Sequence, residues 1–122
     1  MVTHALVAHC LELLAPLGSV RARRMFGGHG IYIDEIFCAL VANERLYFKT
    51  CPATQPQFVA AGCEAFVYDT QGKAVALNYW SVPAEALESP ELMAPWARLA
   101  LQAAIAARAA KPPAARQRQI RR

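Results

Sequence analysis

Serine is scarce in this chain. There are three in 122 residues, Ser19, Ser81 and Ser89, and none stands in the Gly-x-Ser-x-Gly setting of a nucleophile elbow. Cysteine is nearly as sparse: Cys10, Cys38, Cys51 and Cys63, with no Cys-x-x-Cys pair. That spacing excludes the usual sequence signals of a dithiol redox centre or a zinc knuckle. Cys10 and Cys38 sit in apolar patterns and read as small core residues. Cys51, before Pro52, reads as more exposed, and all four read as free, unreactive thiols. A cysteine nucleophile needs a histidine within reach. Cys51 with His29 is the pairing that folding could create, and nothing in their spacing argues for it. His4 and His9 are five apart, which misses the one-face spacing of a helical metal pair. No enzyme, metal or cofactor is expected on these grounds.

Long apolar runs are also missing. No stretch of about 18 apolar residues exists, so no membrane-spanning helix is expected. The first turns carry His4, His9 and Glu12 in an amphipathic pattern, without a basic start or a small-residue cleavage site, so they do not read as a signal peptide. A cytoplasmic location follows as the expectation.

Acidic residues vanish at the end of the chain. From Arg108 onward there are six basic residues, Arg108, Lys111, Arg116, Arg118, Arg121 and Arg122, and no acid. Before Arg108, seven basic residues face nine acidic ones, a balance of −2. The formal charge of +4 is therefore a property of the tail, while the body is mildly acidic. Pro112-Pro113 and the polar basic run mark 111–122 as a disordered tail on a domain of residues 1–110.

What is present is an ordered alternation of short elements. Leu6, Cys10, Leu13 and Leu17 recur at helical spacing over 3–15, with Thr3 as cap and Pro16 and Gly18 as the stop. A strand follows at 20–26. Gly27-Gly28-His29-Gly30 breaks it, the glycines supplying unusual φ values in a bend. Ile31–Ile33, Ile36–Ala42 and Arg45–Thr50 are three further strands, parted by the short turns Asp34-Glu35 and Asn43-Glu44. Connections this short demand antiparallel neighbours. A short helix at 53–61, with Phe58, Val59 and Ala61 as packing candidates, ends at Gly62. Strands Ala65–Asp69 and Lys73–Val82 form a hairpin. Pro83–Glu88 is a helical turn, and Ser89-Pro90-Glu91 starts a last helix with Leu92, Trp96, Leu99 and Ala103 along one stripe. The fold class is α+β: two layers, an antiparallel sheet with helices mainly on one face, in the order helix-strands-helix-strands-helix.

The glycine loop could form an anion-binding nest, but a phosphate loop needs a following helix and a lysine, and here a strand follows. Arg21, Arg23 and Arg24 read as a solvated strand face, since no aromatic interleaves them in sequence. Tyr79 and Trp80 are adjacent, so the pleat sends them to opposite faces, one to the core. Tyr32, Tyr47 and Tyr68 raise the same question.

One stretch identifies a lineage. Arg23-Arg24-Met25-Phe26-Gly27-Gly28-x-Gly30-Ile31-Tyr32, followed by two apolar strands, Gly72-Lys73, Tyr79-Trp80-x-Val82-Pro83 and Trp96-Ala97-Arg98, resembles the N-terminal domain of the TfoX/Sxy competence-regulator family. The likeness runs over roughly residues 3–105. It implies the two-layer fold that this family has in common with secretion chaperones. It also implies a regulatory, protein-contacting module, since full-length members promote transcription of DNA-uptake genes together with the cyclic-AMP receptor protein. Those members carry a second, C-terminal domain; here a basic tail follows instead. The shared motif residues Met25, Phe26, Gly27, Gly28, Gly30, Tyr79 and Trp80 read as structural. The partner protein stays unnamed, and an open sheet face or edge leaves a homodimer open. The alternative is a small nucleic-acid-associated protein that binds through the basic tail.

Overall fold

In a computed structural model of the chain, residues 2–25, 28–70 and 73–110 are described. Helix α1 (Val2–Leu14) runs into a 3-10 turn (Ala15–Leu17). Strands β1 (Val20–Met25), β2 (Gly28–Ile33), β3 (Ile36–Ala42) and β4 (Arg45–Lys49) follow as a meander. Helix α2 (Gln55–Ala60) leads to β5 (Ala65–Thr70) and β6 (Lys73–Ser81), then a 3-10 turn (Ala84–Glu88) and helix α3 (Pro90–Ala110). The six strands form one antiparallel sheet in the order β1-β2-β3-β4-β6-β5. The expected α+β architecture and element order are those observed.

Two of the turns carry their strain openly. Asp34 and Glu35 have φ of 50° and 66°, and Asn43 and Glu44 have 52° and 59°. Both central residues are left-handed, as a two-residue hairpin matched to the strand twist requires. Neither turn has a glycine, so each holds non-glycine residues in a conformation costing about 1–2 kcal/mol apiece. The Asp34 carboxylate offsets part of this by accepting the Ser19 amide at 2.9 Å. Gly62 closes α2 with φ 80°, as expected of a left-handed cap.

The core lies on one face of the sheet. Ile31, Ile33, Cys38, Val41, Leu46 and Phe48 point to α1 and α3, where Cys10, Leu13, Leu14 and Met93 meet them. Phe58 of α2 is fully buried and stands edge-on to Trp96, with ring centroids 5.0 Å apart. Ser89 caps α3 as expected, its hydroxyl accepting the Leu92 amide at 3.2 Å.

Four expectations need correction. Helix α1 starts at Val2, one residue before the expected start, and the side chain of Thr3, the expected cap, lies outside the described residues. The α2 helix buries Phe58 alone; Val59 is 53% exposed and Ala61 is exposed. The buried stripe of α3 is not the expected one throughout: Ala103 is buried as expected, but Met93, Ala97, Ala100 and Ala104 are buried beside it, while Leu92 is 45% exposed. A seam of alanines lets the helix approach the sheet closely, and the bulkier Trp96 and Leu99 flank it half-buried. Finally, the glycine bend is narrower than expected. Gly28, His29 and Gly30 belong to β2, and Met25 pairs with Gly28. Residues 26–27, between the strands, lie outside the described residues.

The two strand glycines serve close approach, not turn geometry. A Cβ on Gly28 would overlap the Val41 carbonyl oxygen outright and sit 3.3 Å from its carbon. A Cβ on Gly30 would lie 2.7 Å from both Met25 Cε and Phe37 Cε1. The first obstacle is backbone of the adjacent strand; the second is side chain on the sheet's other face.

Candidate interaction face

Strand alternation leaves a second set of side chains on the face away from α1 and α3. On β1 these are Arg21, Arg23 and Met25; on β2, Gly30 and Tyr32. A register shift between Ile31 and Tyr32 lets Cys38 and Ala39 both enter the main core, so Phe37 and Leu40 share the outer face. Tyr47 and Lys49 of β4, Tyr79 of β6 and Phe66 of β5 complete it. This face is not bare. Leu40, Tyr47 and Phe66 form a small buried cluster, with Met25, Phe37, Ala42 and Tyr79 packed against it.

The aromatic rings form a chain of three and a separate pair. Tyr32 and Phe37 lie 5.2 Å apart between centroids, Phe37 and Tyr79 6.1 Å, and Tyr47 and Phe66 4.9 Å, all tilted. Tyr32, Phe37 and Tyr79 keep part of their surface open to solvent. Cations cover the rings from outside: the Arg21 guanidinium at 4.3 Å from the Tyr32 centroid, Lys49 Nζ at 5.1 Å from Tyr79, and Arg45 at 5.7 Å from Tyr47. Such contacts contribute about 0.5–1 kcal/mol each at exposed sites. Burial pushes the Tyr79 hydroxyl up to about 12, so it stays a neutral donor at physiological pH.

Two of these cations are paired. Arg21 donates through Nε and a terminal nitrogen to both Glu35 oxygens, at 2.7–3.2 Å. That hydrogen bonding lowers the Glu35 carboxyl below its ordinary value. Arg45 donates to Glu64 at 2.8 Å. Both pairs are open to solvent and hold orientation more than stability. Among the described residues, no carboxylate lies within ion-pair distance of Lys49 or Arg108. These two cations meet in one groove of about 410 Å³, lined by Glu35, Phe37, Lys49, Ala104, Ala107 and Arg108. Its walls are the lower end of the sheet and the last turns of α3.

The residues singled out in the sequence divide clearly. Met25 and Tyr79 stand on the outer face, and Trp80 packs half-buried against the main core, so the adjacent aromatics do part as the pleat demands. Gly28 and Gly30 are sites of close approach; Phe26 and Gly27 lie outside the described residues. Arg21, Arg23 and Arg24 are exposed, but an aromatic does accompany them: Tyr32 is the cross-strand partner of Arg21. Arg108 is exposed near the end of α3, and Lys111, Arg116, Arg118, Arg121 and Arg122 lie outside the described residues, as does the Tyr68 side chain. Phe37, Phe66 and Lys49 escaped the sequence reading. The alternation of Arg45, Tyr47 and Lys49 along β4 was the available signal.

The structure does not bring His29 and Cys51 together. His29 pairs with Val41, which pairs with Leu46. Cys51 lies five residues further along, about 16 Å of extended chain. His9 is committed elsewhere, its Nε2 donating to the Leu87 carbonyl at 2.7 Å. Burial pushes the Cys10 and Cys38 thiols up to about 12. Burial also raises Cys51, but hydrogen bonds from the Thr54 hydroxyl and from the Thr54 and Ala53 amides outweigh it and leave the thiol below its ordinary value. Among the described residues, no three His, Cys, Asp or Glu side chains converge as a metal site, and no helix is long and apolar enough to cross a membrane.

The molecule is thus of a definable class: a two-layer α+β domain whose helices cover one sheet face and whose other face presents aromatic rings under cations. The TfoX N-terminal domain model matches residues 12–104, and the chain belongs to that family. It is 31% identical to "Protein Sxy" of Escherichia coli over 71 residues, which is 58% of this chain and 34% of that protein. It is 32% identical to "DNA transformation protein TfoX1" of Aliivibrio fischeri over 66 residues, 54% of this chain and 32% of that protein. The match therefore spans about a third of the length of these relatives.

Proposed function

We propose that this chain is a non-enzymatic, cytoplasmic regulatory module that works by protein contact, in the control of DNA uptake that the name of its A. fischeri relative suggests. The observation that carries this reading is the outer sheet face. It keeps three partly open aromatic rings, Tyr32, Phe37 and Tyr79, two of them under the cations Arg21 and Lys49, on a side that neither α1 nor α3 covers. Aromatic and arginine-rich surface of this kind is what protein interfaces favour. The main core, by contrast, holds its thiols buried and protonated, which fits a scaffold role.

Nucleic-acid binding through Arg108 and the five basic residues that follow it is the second reading, supported by their charge alone. Affinity capture from native lysate separates the two. The intact chain, the chain ended after Ala110 and the full-length Lys49→Glu variant are compared. The protein-contact reading expects a partner retained by the first two and lost from the third. Capture that survives Lys49→Glu but disappears on truncation or nuclease treatment would favour the tail.

A further inference from the structure

We propose that the groove between the sheet's lower end and the last turns of α3 binds an extended, carboxylate-rich segment of a partner protein. This rests on the protein-contact reading above and gives the partner a chemistry.

The charges carry the argument. Lys49 enters the groove from the sheet wall and Arg108 from the helix wall. Neither has a carboxylate of the described residues within ion-pair distance. Glu35 also lines the groove, but both its oxygens are held by Arg21. The local acid is thus neutralised and the two facing cations are left available to an anion. Between them lie Phe37, Ala104 and Ala107, an apolar floor for the carbon chain of an acidic residue or an apolar neighbour. Phe37 continues this floor outward to Tyr32 and Tyr79 across the sheet, so an extended segment has a path.

A single-stranded nucleic acid fits less well. Bases need open ring faces on which to stack. The Tyr32 and Tyr79 rings already carry Arg21 and Lys49. The body before Arg108 has a balance of −2, a net charge that repels a long polyanion more than a short acidic segment. A short acidic segment needs only the local pair.

The test uses the full chain and two fluorescein-labelled probes: a short peptide of alternating Asp/Glu and Leu/Phe, and a short oligothymidylate. Binding is read by anisotropy at about 50 mM and about 300 mM salt. The peptide is expected to bind, to weaken with salt, and to lose about tenfold or more in affinity with Lys49→Glu or Arg108→Glu. Arg98→Glu, an exposed reversal elsewhere on α3, is expected to change it by less than about twofold. Lys49→Met and Arg108→Gln, which remove charge without reversing it, guard against a folding defect and are checked by circular dichroism. Equal losses from Arg98→Glu and Lys49→Glu, absence of peptide binding, or tighter oligothymidylate binding lost with the same reversals would each overturn the proposal. If the peptide fails while capture from lysate still depends on Lys49, the contact face stands and only its acidic partner falls.

Discussion

Gly28 offers the sharpest check on the sheet. An alanine there would drive its methyl into the Val41 carbonyl oxygen. Val41 is fully buried and held in register by His29 on one side and Leu46 on the other, so the obstacle is backbone that cannot turn aside. Relief requires β2 and β3 to separate locally, at the expense of ladder hydrogen bonds and core packing. Overpacking of this kind costs about 1–3 kcal/mol, and a disrupted ladder bond adds about 1 kcal/mol. We expect Gly28→Ala to destabilise by about 3 kcal/mol, a fall in Tm of about 10 °C for a domain of this size. Two companions calibrate the effect. Gly30→Ala meets only the mobile end of Met25 and the edge of Phe37 and should cost about 1–2 kcal/mol. Gly62→Ala has open space around it but a φ of 80°, so its cost is conformational, about 1 kcal/mol. Urea unfolding followed by circular dichroism ranks the three. A Gly28→Ala variant within about 0.5 kcal/mol of the parent chain, or Gly62→Ala as the most damaging of the three, would refute the backbone clash.

Three further outcomes are expected. Glu44→Gly should raise the urea midpoint, by about 0.5–1 kcal/mol in stability, because it removes a left-handed non-glycine residue from the second position of the Asn43 turn. Glu35→Gly should gain less, since it also removes the Arg21 pair. Alkaline pH should destabilise the fold. Cys10 and Cys38 are raised from 9.0 to about 12, and Tyr79 from 10.0 to about 12. Above pH 9 the unfolded chain releases these protons first, so stability is complete below about pH 9 and declines as pH rises towards 12. Each thiol removes up to about 1.4 kcal/mol per pH unit in that window. Unfolding midpoints at about pH 8 and pH 10 measure the slope, and Cys10→Ala/Cys38→Ala should flatten it.

Local chemistry made much of the fold readable. The Asp34-Glu35 and Asn43-Glu44 breaks parted apolar runs too closely for anything but hairpins, and Ser89-Pro90-Glu91 marked the start of α3. Gly62 declared its left-handed cap because no other residue takes that conformation so cheaply. These are decisions made within a few residues, so periodicity and turn chemistry suffice to see them. The motif from Arg23 to Tyr32, with Tyr79-Trp80, was enough to point to the family.

Tertiary packing decided the rest. Gly28 and Gly30 looked like bend residues, yet their reason lies across the sheet, in Val41, Met25 and Phe37. The α3 helix offered a stripe of large residues through Leu92 and Trp96, but it is the alanine seam beside them that is fully buried, because small side chains allow close packing. Arg21 stood without aromatic company in the chain until the β1–β2 register set Tyr32 beside it. Lys49 and Arg108, 59 positions apart in the numbering, became one groove only when α3 crossed the end of β4. Strand alternation is local and can be read along the chain; which distant side chains share a wall depends on pairing and docking, and that information exists only in three dimensions.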